Sequence, residues 1–200
     1  MEQSKKSEIT RNKILSAAEA EFADLGLAAA RVDNIAKAAG INKQMIYVHF
    51  KSKEGLYCAV LENVYSRLSI YENAIKNYEF KGIETIGNVI SEYFNFLNDN
   101  PAFVRLMLWE NLNSAKYADN IKTDLFSGIE ELLNKGIKKG YIRKDLDVAQ
   151  TVISFNMFSF SAFSNIYTLS KLTGRDLTNK AELEKRCEHI KNVLLKYIVN

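Results

Sequence analysis

Hydrophobic residues recur every three or four positions along most of this chain, which is the spacing of one buried face of an α-helix. The spacing is plainest in two short segments that are separated by polar residues. Their hydrophobic positions are Val32, Ile35, Ala36, Ile46 and Phe50. Gly40 lies between the segments, where a residue in the left-handed conformation can end a helix, and Asn42 can cap the next one. The pattern predicts two short helices, Val32–Ala39 and Lys43–Phe50, with a tight turn between them.

The rest of the chain shows the same spacing in longer segments. We expect further helices at Ser7–Leu25, from Ser52 to Tyr78, at Ile83–Leu97, from Pro101 to Glu110, at Asp119–Lys139, from Asp147 to Leu172 and at Lys180–Val199. Gly26 is expected to end the first of these helices. A single Pro and nine Gly leave room for long uninterrupted helices, and no alternating run of Val, Ile and Thr indicates a β-hairpin. The sequence therefore predicts an all-α chain of about nine helices.

Several predicted helices begin with residues that suit a helix N-terminus. Ser52 can accept an unpaired backbone N–H. Asp147 can do the same, and together with Gln150 it resembles a capping box. Asn100 precedes Pro101, and a Pro at the first helical position loses no hydrogen bond. These residues predict where the fourth, sixth and eighth helices start.

Charge distinguishes the two short helices from the rest of the chain. The formal net charge of +3 is too small to indicate a nucleic-acid-binding protein by itself. From Asn34 to Lys53, however, there is no acidic residue. The basic residues of that interval are Lys37, Lys43, Lys51 and Lys53. Two helices joined by a Gly-containing turn, with a face of one charge sign, are typical of a helix-turn-helix that docks on nucleic acid.

The last two predicted helices favour a homodimer. The eighth helix is apolar nearly all round, so one side can pack on its own domain while the other side needs a partner. Two such helices from each of two chains would form a four-helix bundle with two-fold symmetry. The alternative is that both helices are wrapped within a large monomeric core. The predicted dimer interface comprises Phe160, Phe163, Tyr167, Leu183, Cys187, Ile190 and Leu194.

Other functional classes find little support in the residues. His49 and His189 are the only histidines, and the sequence shows no metal-ligand spacing, nucleophile–base pair or Gly-rich phosphate loop. We therefore expect no catalytic residues, no metal and no cofactor. No signal peptide or membrane-spanning apolar run is present, so we expect a cytoplasmic protein without a membrane partner. Cys58 and Cys187 lack metal or redox spacing, and we expect two small buried hydrophobic residues rather than a disulfide or a reactive thiol.

Between Ile14 and Leu56 the chain resembles the TetR-type transcriptional regulators. The matching motifs are Phe22-Ala-Asp-Leu-Gly26, Asn34-Ile-Ala-Lys-Ala-Ala-Gly40, Lys43, Ile46-Tyr47 and His49-Phe50-Lys51-Ser52-Lys53-Glu54-Gly55-Leu56. The resemblance implies a dimeric repressor, or less often an activator, that binds double-stranded operator DNA. It also implies a DNA-binding domain over residues 1–52 and an effector-binding and dimerisation domain over residues 53–200.

The resemblance also implies which residues meet the DNA. Carried over by position, Lys43, Gln44 and Met45 would face the groove, and geometry suits them to guanine, adenine and a thymine methyl respectively. The predicted DNA-binding residues are Arg31, Asn42, Lys43, Gln44, Met45, Tyr47, His49, Lys51 and Lys53. Two departures from the family pattern stand out. Ala30 and Arg31 occupy positions where the second helix usually begins with Thr or Ser, and Gln44 and Met45 replace smaller residues.

A small-molecule effector is expected among helices four to eight, where aromatic and Met side chains suit an apolar or aromatic ligand. The candidate pocket residues are Tyr71, Tyr93, Met107, Trp109, Glu110, Phe126 and Phe155. The alternative is that these residues are ordinary core. We expect the effector to release the protein from its operator, with the fourth helix transmitting the change. The competing hypothesis is a helical interaction or scaffold protein that does not bind DNA.

Overall fold

The structure is a computed structural model that describes residues 2–117 and 127–199. Within these ranges the chain forms ten α-helices and no β-strand, so the predicted all-α class is confirmed. The helices are α1 Glu2–Ala29, α2 Val32–Ala39, α3 Lys43–Phe50, α4 Lys53–Lys76, α5 Ile83–Asp99, α6 Pro101–Leu112, α7 Ser127–Lys138, α8 Val148–Ser164, α9 Ile166–Thr173 and α10 Lys180–Ile198.

The turn between α2 and α3 forms as its sequence predicts. Gly40 adopts the left-handed conformation, with φ 66° and ψ 38°, and its N–H donates to the carbonyls of Ala36 and Lys37. Asn42 caps α3, because its side-chain oxygen accepts the backbone N–H of Gln44 at 2.9 Å. Both predicted helices have the predicted bounds.

Side-chain caps also place the starts of α4 and α8. Ser52 Oγ accepts the N–H of Gly55 at 2.9 Å at the start of α4, and Asp147 Oδ1 accepts the N–H of Gln150 at 3.0 Å at the start of α8. Asn100 behaves differently. Its side-chain amide donates to the carbonyl of Phe96 at 2.8 Å, so this side chain caps the end of α5 rather than the start of α6.

Gly26 ends the first helical segment of α1, as predicted, and a short second segment follows it. Its φ of 69° and ψ of 173° are not helical, but the helical pattern resumes and continues to Ala29. The indole of Trp109 lies against this glycine, and a Cβ built there would be 2.8 Å from the ring. A residue with a side chain would therefore meet both a strained backbone and the indole.

Two other boundaries differ from the prediction. The predicted eighth helix is two helices, α8 and α9, because Asn165 leaves the helical region with φ −110° and ψ 10°. Asn is a poor helix-interior residue, since its side chain competes for local backbone hydrogen bonds. This break makes ten helices rather than nine in the described ranges. The predicted start of the seventh helix at Asp119 lies outside the described residues.

The chain divides into two compact units, and the division falls inside α4 and inside α6. Unit 1 contains the described residues of Met1–Ser66 and Arg105–Lys122, and unit 2 contains those of Arg67–Val104 and Thr123–Asn200. Unit 1 thus extends beyond the helix-turn-helix segment. Its buried side chains include Ile14, Phe22, Ile35, Ile46, Leu56 and Tyr57. The buried side chains of unit 2 include Ile75, Phe80, Ile90, Tyr93, Leu132, Phe155 and Ile190.

The helices of the described ranges include none that is long and apolar enough to cross a membrane. Cys58 and Cys187 are free thiols and are partly buried rather than fully enclosed. Burial raises the pKa of both thiols above its usual value, which keeps them in the less reactive protonated form.

Candidate nucleic-acid interface

Helix α3 has one buried face and one exposed face. Ile46 and Phe50 are 0% and 7% exposed and anchor the helix in unit 1. The guanidinium of Arg11 on α1 lies 5.3 Å from the centre of the Phe50 ring, so α1 helps to hold α3 in place. The residues that remain accessible on α3 are Lys43, Gln44, Met45, Tyr47 and Val48.

Val48 is the accessible residue that the sequence analysis missed. Its side chain is 71% exposed, more than Met45 at 37% or Tyr47 at 43%. An exposed β-branched residue beside an exposed Met places two apolar groups on this face of α3, where each could contact a thymine methyl. The exposure of Val48 could have been predicted from the sequence, because Val48 is not on the helix face that contains the buried Ile46 and Phe50.

The start of α2 is secured by a residue of α1. Arg31 occupies the N-cap position, but its side chain makes no capping hydrogen bond. Instead, Glu21 Oε1 accepts the backbone N–H of Arg31 at 3.0 Å and the side-chain amide of Asn34 at 2.9 Å. This carboxylate acts where the family pattern has Thr or Ser, and the exposed side chain of Arg31 takes no part in the cap.

Lys43 forms an ion pair with Asp33. Its Nζ lies 2.9 Å from Oδ1 and 3.1 Å from Oδ2 of that carboxylate. The hydrogen bond to Asp33 raises the pKa of Lys43 above its ordinary value. Asp33, which directly precedes the acid-free interval Asn34–Lys53, thus pairs with Lys43 of that interval.

Lys53 makes hydrogen bonds inside unit 1, and its expected phosphate contact remains a prediction. Its ammonium donates to the carbonyl of Ala28 at 3.3 Å and to that of Ala30 at 3.1 Å. These are unpaired carbonyls at the end of α1, where a cation is favoured. With two of its three N–H groups committed, Lys53 holds the start of α4 against the end of α1.

The side chains of the other predicted DNA contacts differ in their solvent exposure. Lys51 is exposed and caps α3 in a positive-φ conformation, with φ 66° and ψ −42°. His49 is only partly exposed, and its Nε2 is buried without a hydrogen-bond partner among the described residues. A phosphate contact through that nitrogen would require the imidazole to turn. Phosphate contacts by Arg31, Tyr47 and Lys51 remain predictions.

The candidate effector residues do not form one set. Met107, Trp109 and Glu110 belong to unit 1, where each contacts a neighbour of the same unit. Trp109 Nε1 donates to the carbonyl of Ala23 at 3.2 Å. The buried carboxylate of Glu110 accepts the hydroxyl of Tyr57 at 2.8 Å, and burial together with this bond raises the pKa of Tyr57. Their contacts support a structural role for Trp109 and Glu110, because they tie α6 to α1 and α4.

Tyr71, Tyr93 and Phe155 do lie together, in unit 2. The ring centres of Tyr71 and Tyr93 are 5.9 Å apart, and those of Tyr93 and Phe155 are 5.1 Å apart. Phe96 and Phe103 extend the aromatic cluster. The two hydroxyls are paired within unit 2, since Tyr71 donates to the carbonyl of Val89 and Tyr93 to Asn156 Oδ1, both at 2.8 Å. The remaining candidate, Phe126, lies outside the described residues.

An open cavity of about 460 Å³ lies between α5 and α10 of unit 2. Phe94, Leu183 and Cys187 form its apolar wall, and Asn95, Asn98, Thr178 and Glu184 are among its polar lining. The candidate effector residues are absent from its lining. Leu183 and Cys187, which were expected at the dimer interface, thus line an open groove.

Helices α8 to α10 present only part of the expected dimer surface. Ile190 and Leu194 are 1% and 4% exposed, so the core of unit 2 already buries them. Their place in the predicted interface is therefore corrected, because little of either side chain is left for a partner to cover. Phe163 is partly buried against Phe94, with ring centres 4.6 Å apart, and Phe160 is also partly exposed. The large exposed hydrophobic residues of α8 to α10 are Ile153, Met157, Phe158, Tyr167, Leu169, Leu172, Val193 and Tyr197.

The described part of the chain holds no cluster of metal-binding side chains. No group of three His, Cys, Asp or Glu residues there is placed to hold a metal ion. The accessible groups are instead those on the exposed face of α3, namely the amide of Gln44, the thioether of Met45 and the hydroxyl of Tyr47.

Two family models match the chain. The model for bacterial regulatory proteins of the tetR family matches residues 14–60. The model for the tetracyclin repressor-like C-terminal domain matches residues 83–194, which is more than half of the chain. Together the two matches cover the helix-turn-helix and most of unit 2.

Individual proteins agree with these matches. The HTH-type transcriptional repressor NicS of Pseudomonas putida is 26% identical over 177 residues, which cover 86% of this chain and 84% of that protein. The solved structure of the fatty acid degradation regulator FadR from Bacillus halodurans has a TM-score of 0.70 at 22% identity and covers 92% of this chain and 94% of its own. The ketosteroid transcriptional regulator KstR2 of Mycobacterium tuberculosis has a TM-score of 0.67 at 23% identity, with 95% of each chain covered. At such identities the two structures establish the fold alone.

Proposed function

Because the chain belongs to the TetR family and is a DNA-binding transcriptional regulator rather than an enzyme, we propose that it is a dimeric repressor that a small effector releases from its operator. Family membership removes the alternative of a scaffold protein without DNA binding. The observation that carries the DNA-binding mechanism is the exposed face of α3, which the buried Ile46 and Phe50 hold in place.

Base recognition is assigned to residues on the exposed face of α3. Few side chains of a helix in the major groove reach base edges, and the rest of the contacts position the protein on the backbone. Gln44 is exposed and can make a bidentate contact with adenine, while Met45 and Val48 suit thymine methyl groups. Arg31, Tyr47 and Lys51 are the candidates for phosphate contacts, since they are exposed around the same face.

Dimerisation is assigned to the outer faces of α8, α9 and α10. Phe158, Tyr167 and Leu172 are 39%, 67% and 77% exposed, which is unusual for large apolar side chains in one region. A second copy of the chain would cover them through a two-fold interface. Two recognition helices related by such an axis would read half-sites roughly 34–36 Å apart.

Effector binding is assigned to the aromatic cluster of unit 2. Tyr93 and Phe155 are buried, whereas Tyr71 and Phe96 are partly exposed, so the cluster suits a flat apolar or aromatic ligand. Helix α4 is continuous from Lys53 to Lys76 and contributes residues to both units. An effector that favours another arrangement of α4 would shift the population away from the DNA-bound spacing of the recognition helices.

A reporter gene under the control of the chain's own upstream region tests the proposed direction of regulation. Deleting the regulator should raise expression, and restoring the wild-type chain should lower it again. A variant with Gln44→Ala serves as the matched control. Gln44 is exposed, so the variant should keep the fold but fail to restore repression. A fall in expression on deletion would identify an activator instead.

A further inference from the structure

The ion pair between Lys43 and Asp33 lies at the start of α3, the helix proposed to enter the DNA groove. Lys43 is the first residue of α3, and Asp33 is in the first turn of α2. Both carboxylate oxygens lie within 3.1 Å of the ammonium. The two side chains are 45% and 73% exposed, so neither is locked in place by packing.

This pairing changes what Lys43 can do on DNA. Non-specific binding depends on cations that replace the counterions of phosphate groups. A lysine whose charge is already balanced at 2.9 Å gains little from a phosphate, since the phosphate must displace the carboxylate. Asp33 also places a negative charge at the N-terminus of α2, a position that would otherwise attract a phosphate group.

We propose that Asp33 is a specificity-determining residue that keeps Lys43 away from phosphates and thereby suppresses binding to non-operator DNA. On random DNA the pair stays closed, and Lys43 releases no counterion. On the operator, Lys43 keeps one N–H group for a base edge, because the two contacts to Asp33 occupy two of its three. Asp33 therefore lowers non-specific affinity more than operator affinity.

The test compares two duplexes, one selected from a random pool by the wild-type protein and one with the same bases scrambled. Fluorescence anisotropy across a salt series gives the affinity and the salt slope for each. Asp33→Asn should bind the scrambled duplex several-fold more tightly at low salt, with a slope steeper by about one phosphate contact. The ratio of operator to scrambled affinity should fall.

Two variants separate this role from general electrostatics. Glu62→Gln removes one negative charge from an exposed position of α4 and should leave the affinity ratio unchanged. Adding Lys43→Gln to Asp33→Asn should return the slope on scrambled DNA to the wild-type value. Equal effects of Asp33→Asn and Glu62→Gln would overturn the proposal. So would a flatter slope on scrambled DNA when Lys43→Gln is made alone, because Lys43 would then contact phosphate despite Asp33. Thermal unfolding of each variant shows whether the compared proteins are folded.

Discussion

At the scale of single residues, the helix-turn-helix is held by bonds from outside its own segment. Glu21 secures the start of α2 and Lys53 secures the end of α1. The sequence revealed that α2 lacks the usual Thr or Ser at its start. It could not reveal the substitute, because Glu21 lies ten positions before Arg31 and meets it only when α1 packs on α2. Gln44, by contrast, was found from sequence, since its exposure follows from its place beside a local hydrophobic stripe.

Glu21→Ala tests the substitute cap. The variant loses two hydrogen bonds to a partly exposed carboxylate, and each such bond contributes about 1 kcal/mol, so we expect a loss of about 1–2 kcal/mol in the free energy of unfolding. Urea denaturation followed by circular dichroism measures it. Glu8→Ala, at an exposed position of the same helix, is the control. Equal stability of the two variants would mean that Glu21 does not cap α2.

Gln44→Ala tests direct readout of one base pair. Loss of a bidentate contact should remove about 1–3 kcal/mol of discrimination at a single operator position and leave the other positions unchanged. Binding to a set of operators with single base-pair changes measures the effect. Lys37→Ala, which removes an exposed lysine from α2, should not change any position's preference.

At the scale of helices, the helix ends that were predicted best from sequence are those formed by residues next to them in the chain. Gly40, Asn42, Ser52 and Asp147 are all adjacent to the helix ends that they form, and each acts as predicted. The break at Asn165 was missed, because no Gly or Pro near it indicates the end of a helix. Likewise, the local sequence does not reveal that an indole from α6 lies against Gly26.

Gly26→Ala tests the kink in α1. A backbone at φ 69° and ψ 173° is open essentially to Gly alone and costs about 1–3 kcal/mol for a residue with a Cβ, and the indole at 2.8 Å adds a steric term. Gly140→Ala is the matched control, because Gly140 also has a positive φ, at 78°, but nothing lies within 4 Å of its Cβ position. Urea denaturation should show a larger loss for Gly26→Ala. Trp109, the single Trp of the chain, should also change its fluorescence only in that variant.

Lys51→Ala and Lys53→Ala together test which lysine meets phosphate. Lys51 is exposed, so its loss should flatten the salt slope of DNA binding by about one contact. Lys53 is bonded to two carbonyls, so its loss should lower the free energy of unfolding and leave the slope unchanged. Anisotropy titrations at several salt concentrations distinguish the two. A flatter slope for Lys53→Ala would instead support the phosphate contact that the sequence predicted for Lys53.

At the scale of the whole molecule, the sequence could not show which residues from distant helices lie together. The DNA-binding element lies within one continuous segment, so its motif was complete in the sequence. The candidate pocket residues, by contrast, belong to several helices. In the structure Trp109 lies in unit 1, whereas Tyr93 lies in unit 2. In α10, helical periodicity identified the buried stripe containing Ile190 and Leu194, but it could not tell a core face from an interface.

Tyr167→Glu tests the proposed dimer surface. Tyr167 is 67% exposed in the single chain, so a charge there should not disturb the fold, but it would be buried without a partner in a dimer. Sedimentation velocity should show a dimer for the wild type and a shift towards monomer for the variant. Leu112→Glu, at a position of unit 1 that is 76% exposed, should remain dimeric. A dimer that survives Tyr167→Glu would place the interface elsewhere.

Footprinting on the DNA upstream of the gene tests the central claim, that a dimer reads operator DNA through the exposed face of α3. The wild type should protect two half-sites whose centres lie roughly 34–36 Å apart or a multiple of that distance. Gln44→Ala should lose this pattern at the same protein concentration, whereas Lys37→Ala should keep it. Protection that is identical for the wild type and Gln44→Ala would contradict recognition through α3, and a single unpaired site would contradict the two-fold arrangement.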